Sequence, residues 1–448
     1  MLTIKQGVAV IAVITFLSFS VKAQEAWSLQ QCIEYALDNN IQLKQQELNV
    51  KITENQLTRA KHGVYPNLNA SANHNYSFGR STNYITNQKE RSDIQSSSMS
   101  ISTQVTLFNG FQLTNSKRQE ALNLQASLSD VEGLKNNISL NIAAAYLQIL
   151  FSEEIVESSR MQLELSAMQV ERTRMLVEAG SLPEGNLMEI EAQRASDELQ
   201  LVNAQNQLDL AYLTLTQLLD IRDTENFAVQ KPQIESLGQE PIANQSQNIF
   251  DQAQLTLPQI QGAQIRVQSA EKGVQIARGA QSPRLSLGAN YGTGAQHLLR
   301  SIPLFSEDPF LDQIKDNANI SVGLSLSIPI FNGSQVRTSI SNARINLENT
   351  RLSLENEKNY LFKDIQQAQA DAMAAFKKYI ATEKNLDALQ EAFRYTEQRF
   401  SLGLANSLDY TTSKTRLAKV QAELVSAKYE YIFKVKILDF YKGIPLSI

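Results

Sequence analysis

The sequence predicts a mainly α-helical chain with a small membrane-type β portion, and three observations carry that reading. The chain is written twice, each half holds a long breaker-free stretch with an apolar seven-residue repeat, and each half contains one region of strict two-residue alternation. Together they predict a trimeric twelve-stranded β-barrel, four strands from each chain, continued by a long α-helical coiled-coil barrel.

The duplication comes first. Laid on itself, the sequence places Ala36 on Ala253, Leu43 on Ile260, Ala60 on Ala277 and Pro66 on Pro283, a constant offset of 217 residues. Farther on the offset is 223, with Phe108-Asn109-Gly110 on Phe331-Asn332-Gly333 and Gly180 on Gly403. Six additional residues therefore fall between Pro283 and Phe331, a segment that should tolerate length change as loops do.

The long helices follow from what is missing and what repeats. From Ser334 to Leu402, 69 residues contain neither glycine nor proline, and between Gly110 and Gly180 the single breaker is Gly133. Ile365, Ala372, Tyr379, Leu386, Phe393 and Phe400 recur every seven residues, as do Leu347, Leu354, Leu361, Ala368 and Ala375. The first half carries the same stripes as Ile142, Ile149, Val156, Leu163, Val170, Val177 and Leu124, Val131, Ile138, Ala145. A sustained heptad is how helices pack as coiled coils, and a helix this long reaches roughly 100 Å. Tight turns at Ala179-Gly180-Ser181 and Leu402-Gly403-Leu404 end them. Asn186 with Glu189, and Asn406 with Asp409, have the spacing of new helix N-caps. The return arms keep helical spacing through Leu201, Ala204, Leu208, Ala211, Leu215, Leu218 and through Leu417, Val420, Leu424, Ala427, Tyr431.

The period becomes two in four places. Leu68 to Phe78, Met99 to Leu107, Leu285 to Tyr291 and Ile320 to Ile330 alternate apolar residues with Ser, Asn, Gly and Gln. Each run is about 10 residues, the length that crosses an outer membrane when tilted. A soluble antiparallel sheet with one wet face gives the same alternation. Aromatics near both strand ends (Tyr65, Phe108 and Phe331; Tyr76, Phe78 and Tyr291) favour the barrel.

Four strands cannot seal themselves in lipid, because an open edge leaves unpaired backbone groups costing several kcal/mol each. Closed barrels need about eight strands and an open lumen needs more. Three copies supply twelve strands and leave space inside, although the pattern alone does not decide between three copies and two or four.

The start of the chain reads as a secretory leader, residues 1–23: Lys5, an apolar run from Gly7 to Leu17, and Val21-Lys22-Ala23 before Gln24. The run is too short for a spanning anchor, and no later stretch is long enough. The expected segments are then 24–65 (helix), 66–110 (first β-hairpin), 111–220 (first helical hairpin), 221–248 (equatorial linker), 249–282 (helix), 283–333 (second β-hairpin), 334–442 (second helical hairpin) and 443–448 (tail). With net charge −5 and no basic block, the chain has no footprint for nucleic acid. The lone Cys32 excludes an intramolecular disulfide and reads as a small buried hydrophobe. His62, His74 and His297 are isolated, so neither a metal nor another cofactor is implied, and catalytic chemistry finds no foothold.

Taken in order, Ser28 to Asn40, the duplicated Ala-rich helices leading to Pro66 and Pro283, Leu107-Phe108-Asn109-Gly110 with Ile330-Phe331-Asn332-Gly333, and the turns at Gly180 and Gly403 resemble the TolC-type outer-membrane efflux proteins over essentially the whole mature length. The resemblance implies a trimer in the outer membrane that extends into the periplasm. It implies docking to a periplasmic adaptor (membrane fusion) protein and an inner-membrane pump, with small molecules as cargo. The same duct could serve type I protein secretion, and a soluble periplasmic coiled-coil scaffold is the reading from another class.

The resemblance also implies a periplasmic gate. Asp409 matches the family's gate aspartate, six residues after the turn glycine, and three copies would form a cation-attracting ring. A helix N-terminal acid beside backbone amides is the simpler role for the same residue. A second aspartate is replaced by Thr412, the acid of the partner hairpin by Asn186, an arginine by Ala405, and a frequent tyrosine by Phe400. In similar proteins the adaptor meets the turns, here Ala179, Gly180 and Ser181 with Leu402, Gly403 and Leu404. Ending a helix in left-handed backbone is the other role of such glycines.

Overall fold

The computed structural model describes residues 26–82, 87–91, 93–221, 227–231, 245–299 and 308–444. The expected leader and most of the expected linker lie outside the described residues. The chain divides into two compact units, residues 46–131 with 258–359, and residues 1–45 with 132–257 and 360–448.

The duplication is reproduced in element lengths. Helices α1 (Leu29–Asn39) and α2 (Ile41–His62) have 11 and 22 residues, as do α5 (Ser246–Thr256) and α6 (Pro258–Gly279). The long helices α3 (Gln112–Glu178) and α8 (Gln335–Ser401) have 67 residues each, and the return helices α4 (Glu184–Leu218) and α9 (Ser407–Tyr441) have 35 each. Every heptad residue named above is buried or half-buried. Small residues close the tightest stretches: Ala143, Ala145, Ala204, Ala211, Ala368, Ala372, Ala375 and Ala427 are all buried.

In the first unit, β1 (Asn67–Ser77), β4 (Ile94–Phe108), β5 (Arg284–Leu298) and β6 (Asn319–Ser327) form one antiparallel sheet in the order β1-β4-β5-β6. A short pair that sequence reading did not anticipate, β2 (Arg80–Thr82) and β3 (Lys89–Arg91), lies between β1 and β4 in the chain. Strand β6 ends at Ser327, earlier than the alternation suggested. Pro329 supplies no backbone N–H and restricts the residue before it, so the ladder stops. β4 has no proline and continues to Phe108 through a bulge at Thr106/Phe108. The six additional residues fall where α7 (Phe310–Asp316) forms between β5 and β6.

Most of the sheet's apolar face is uncovered. Leu68 and Ile320 are 74% and 76% exposed, and Val322, Leu324 and Leu326 are exposed as well. A soluble sheet would bury such a face against other elements. α6 packs beside α3: Gln112 and Gln119 donate to the carbonyls of Ile276 (3.0 Å) and Ser269 (3.2 Å), and Arg266 pairs with Asp130 at 2.9 Å. A Cβ on Gly110 would collide with the carbonyl of Gly279 and lie 2.7 Å from Ser282, so this contact of strand exit and helix end demands glycine.

In the second unit, Ser28 and Gln31 form a reciprocal capping box at the start of α1. Cys32 is fully buried, and burial pushes its thiol up to about 12. Trp27 bridges in parallel to Val229, and the Tyr146 hydroxyl sits 3.0 and 2.6 Å from the carbonyls of Trp27 and Gln230. The described part of the expected linker is thus tied to the helices.

Candidate functional site

The expected working residues lie at the two helical-hairpin turns and the helix ends beside them, all in the second unit. Both turns are the same device. Ser181 N–H donates to Leu176 O and Gly180 N–H to Val177 O, each 2.9 Å. Leu404 N–H donates to Arg399 O at 2.8 Å and Gly403 N–H to Phe400 O at 3.0 Å. These are Schellman endings, with Gly180 and Gly403 at φ +70° and +74°. No neighbouring atom lies within 4 Å of a Cβ built on either glycine, so backbone conformation and not crowding selects them. Ala179, Gly180, Ser181, Leu402, Gly403 and Leu404 are all exposed, the two leucines 73% and 65%.

The returns differ. α9 starts as expected, with Asn406 as N-cap: the Asp409 N–H donates to Asn406 Oδ1 at 2.7 Å. α4 corrects the expectation for Asn186. Its N-cap is Pro183 without a side-chain bond, and Asn186 lies inside the helix, its N–H donating to the Pro183 carbonyl at 3.1 Å. Proline's fixed φ suits a helix entry and starts this one three residues early.

Asp409 and Thr412 are exposed one turn apart on α9, and Asp409 is the acid of the first turn. Phe400 is half-buried, stacked on Tyr410 at 4.8 Å between ring centres; Phe393 also packs on Tyr410 at 5.6 Å. Asn186 is half-buried on the other hairpin, and among the described residues no hydrogen bond joins it to Asp409.

A buried polar cluster higher on the hairpins escaped sequence reading. Ser166 of α3 donates to Asp197 Oδ2 of α4, and Gln193 donates to Asp197 Oδ1 at 2.8 Å. Lys414 of α9, only 5% exposed, donates to Ser166 Oγ at 3.3 Å, tying α9 to the first hairpin. Burial lowers the Lys414 pKa, and the Asp197 carboxylate opposes that shift. Beside Ser166 on α3, Gln169 Nε2 and Thr173 Oγ1 are buried and find no partner among the described residues. A signal existed: the first-half stripe runs on past Ala145 as Ser152, Ser159, Ser166 and Thr173, all buried. Nothing in the local sequence marks Lys414.

Among the described residues no His, Cys, Asp and Glu group is arranged to hold a metal ion. The residues available at the turns can attract cations and present an apolar rim.

The model of the outer membrane efflux protein family matches residues 32–220 and 249–440, the two repeats. Outer membrane protein TolC of Escherichia coli is 22% identical over 420 residues, covering 91% of this chain and 80% of that protein. Alkaline protease secretion protein AprF of Pseudomonas aeruginosa is 23% identical, covering 83% and 76%. Among solved structures, the outer membrane protein VceC of Vibrio cholerae matches with a TM-score of 0.77 at 18% identity, covering 94% of this chain and 97% of that one. The CmeC outer membrane channel of Campylobacter jejuni matches with a TM-score of 0.77 at 18% identity, covering 94% and 87%.

Proposed function

The chain belongs to the outer membrane efflux protein family and acts as an outer-membrane efflux channel; from that premise we propose that three copies form its working duct. The twelve strands close one barrel, the hairpins line a periplasmic tunnel, and the duct is passive, driven by an inner-membrane pump through a periplasmic adaptor. The family is one of channels, not enzymes.

One asymmetry between the repeats carries the ring. Gly110 meets Gly279 of the second repeat, whereas a Cβ on Gly333, its counterpart, would meet nothing within 4 Å. In the same way β4 pairs with β5, while β1 and β6 are the outer strands of the sheet. Repeating the internal relation puts Gly333 and β6 of one copy against α2 and β1 of the next. Such a head-to-tail contact makes rings, and closure pairs the edges that lipid would leave unsatisfied.

The register follows too. Ser102 pairs with Asn290, so the two repeat offsets place Ser325 opposite Asn73 of the next copy. A Ser325→Cys, Asn73→Cys variant oxidised in membranes is expected to give a covalent ladder ending at three copies. Cys32 is too buried to compete. A ladder ending at two or four, or no ladder at all, overturns the trimer.

Within the ring, Ser and Asn of the strands line water, three Asp409 carboxylates collect cations at the tip, and Thr412, Phe400 and Asn186 complete the gate. The exposed turns Ala179–Ser181 and Leu402–Leu404 receive the adaptor, with six near-equivalent turns offered by three duplicated chains. Small molecules are the favoured cargo. The similarity to a protease secretion protein supports a second reading, in which the same duct passes protein. A soluble periplasmic scaffold would leave Leu68 and Ile320 in water and is not favoured.

A further inference from the structure

The additional residues of the second repeat make something the first repeat lacks. β6 begins at Asn319, opposite Gly292, but β5 continues to Leu298 along β4, so this end of β5 has a strand on one side only. Helix α7 takes that place. The Gln296 N–H donates to Gln313 Oε1 at 2.9 Å, Asn317 Nδ2 donates to the Gly294 carbonyl at 2.7 Å, and the Thr293 hydroxyl donates to the Ile314 carbonyl. Side-chain amides thus satisfy backbone groups that a membrane would leave bare.

This docking brings Ile314 over the apolar face of the sheet. Opposite it, Ala70 and Ala72 of β1, Met99 and Ile101 of β4 and Tyr291 of β5 share that face, since Ala70 pairs with Ile101, Ala72 with Met99 and Ile101 with Tyr291. Between them is a groove of about 550 Å³. Its floor is low because two alanines stand where Leu68 and Tyr76 flank them on the same strand. The volume falls within the range of sites that enclose a small ligand.

We propose that this groove holds one acyl chain of an outer-membrane lipid in each copy. The proposal rests on the barrel reading, in which the apolar face looks into the bilayer. The groove is continuous with that face, its lining is hydrocarbon except for hydroxyls at its margin, and the neighbouring copies join through strand edges that leave this face free. An aqueous solute finds no charged partner there, whereas a lipid tail gains the close dispersion contacts of a fixed apolar wall. Roofed by Ile314, the chain is held longer than lipid on the open strands.

The test uses the full-length protein purified as its membrane complex, stripped of lipid in detergent and titrated with dioleoyl phosphatidylethanolamine, bound lipid being counted by native mass spectrometry. Three tightly held lipids per three copies are expected. Ala72→Phe, which fills the floor, and Ile314→Ser, which removes the roof yet keeps the backbone bond to Thr293, should each weaken retention about tenfold. Val322→Phe, on the same face but off the groove, should retain lipid like the parent. Equal retention by the groove variants, or no lipid above the detergent background on an intact trimer, overturns the site and leaves the channel standing. Failure to recover a trimer from membranes overturns the barrel reading beneath it.

Discussion

The two helical hairpins have the same lengths, 67 and 35 residues, yet they are filled by different chemistry. In the second hairpin, rings pack along the seam: Phe376 and Tyr379 against Tyr431, and Phe393 and Phe400 against Tyr410. At the corresponding positions the first hairpin has Glu153, Val156, Leu208, Val170, Val177 and Leu187. Its buried Ser166 and Asp197 match Leu389 and Val420 of the second. Helix length is therefore set by heptad register and turn position, while the contents of the seam are free to diverge. One divergence reaches across: Lys414 has Glu191 as its counterpart, and only Lys414 enters the other hairpin's seam.

The two seams differ most at Asp197. Asp197→Val, which copies the second seam but strands the buried Lys414, should cost about 3–5 kcal/mol of helical stability, because an unpaired buried charge remains. Ser166→Leu with Asp197→Val and Lys414→Met together should be near neutral or more stable. Thermal unfolding followed by helical circular dichroism checks both, and a triple variant as weak as the single one would show that the cluster is not a charge pair in need of its partner.

The turns give a functional contrast. Asp409→Asn should relieve most of the cation block of single-channel current in planar bilayers, whereas Asn186→Ala, which removes a gate-lining side chain but no charge, should change block far less. Block that survives in Asp409→Asn removes that residue from the gate.

A smaller contrast lies in the caps. Asn406→Ala should cost about 1 kcal/mol of stability per copy, and Asn186→Ala only a few tenths, since it sits within a helix that Pro183 starts. Equal melting temperatures for the two variants would contradict the assigned caps.

The smallest effect is in pH. Burial penalises charged Lys414, so the unfolded chain keeps this proton to higher pH than the folded one. Stability contributed at this position therefore rises with pH between the lowered folded value and the ordinary lysine value near 10.4. Lys414→Met should lack that rise, so the parent should gain on the variant as pH climbs toward the ordinary lysine value. A constant difference between them would mean that the lysine is not desolvated.

The parts legible in the sequence are those where local pattern and tertiary structure impose one requirement. Heptads, breaker-free runs and Gly180 and Gly403 gave the hairpins almost residue by residue, and period-two alternation gave four strands. The misses are where distant or competing constraints decide. Pro183 rather than Asn186 begins α4, Pro329 cuts β6 short, and α7 arises from the need to cover an uneven strand edge. In the candidate site, the exposed positions of Asp409 and the turns were legible from spacing to a turn glycine. Lys414 was not, because its surroundings include Asp197 of α4, 217 residues away in the chain.

On the ring proposed above, the two bare flanks of the four-stranded sheet govern the life of a newly made copy. Until neighbours arrive, it carries strand margins and an oily surface that invite wrong partners as readily as right ones. Maturation should accordingly be steeply dependent on copy number, with incomplete rings short-lived and surplus chain lost to clumping or proteolysis.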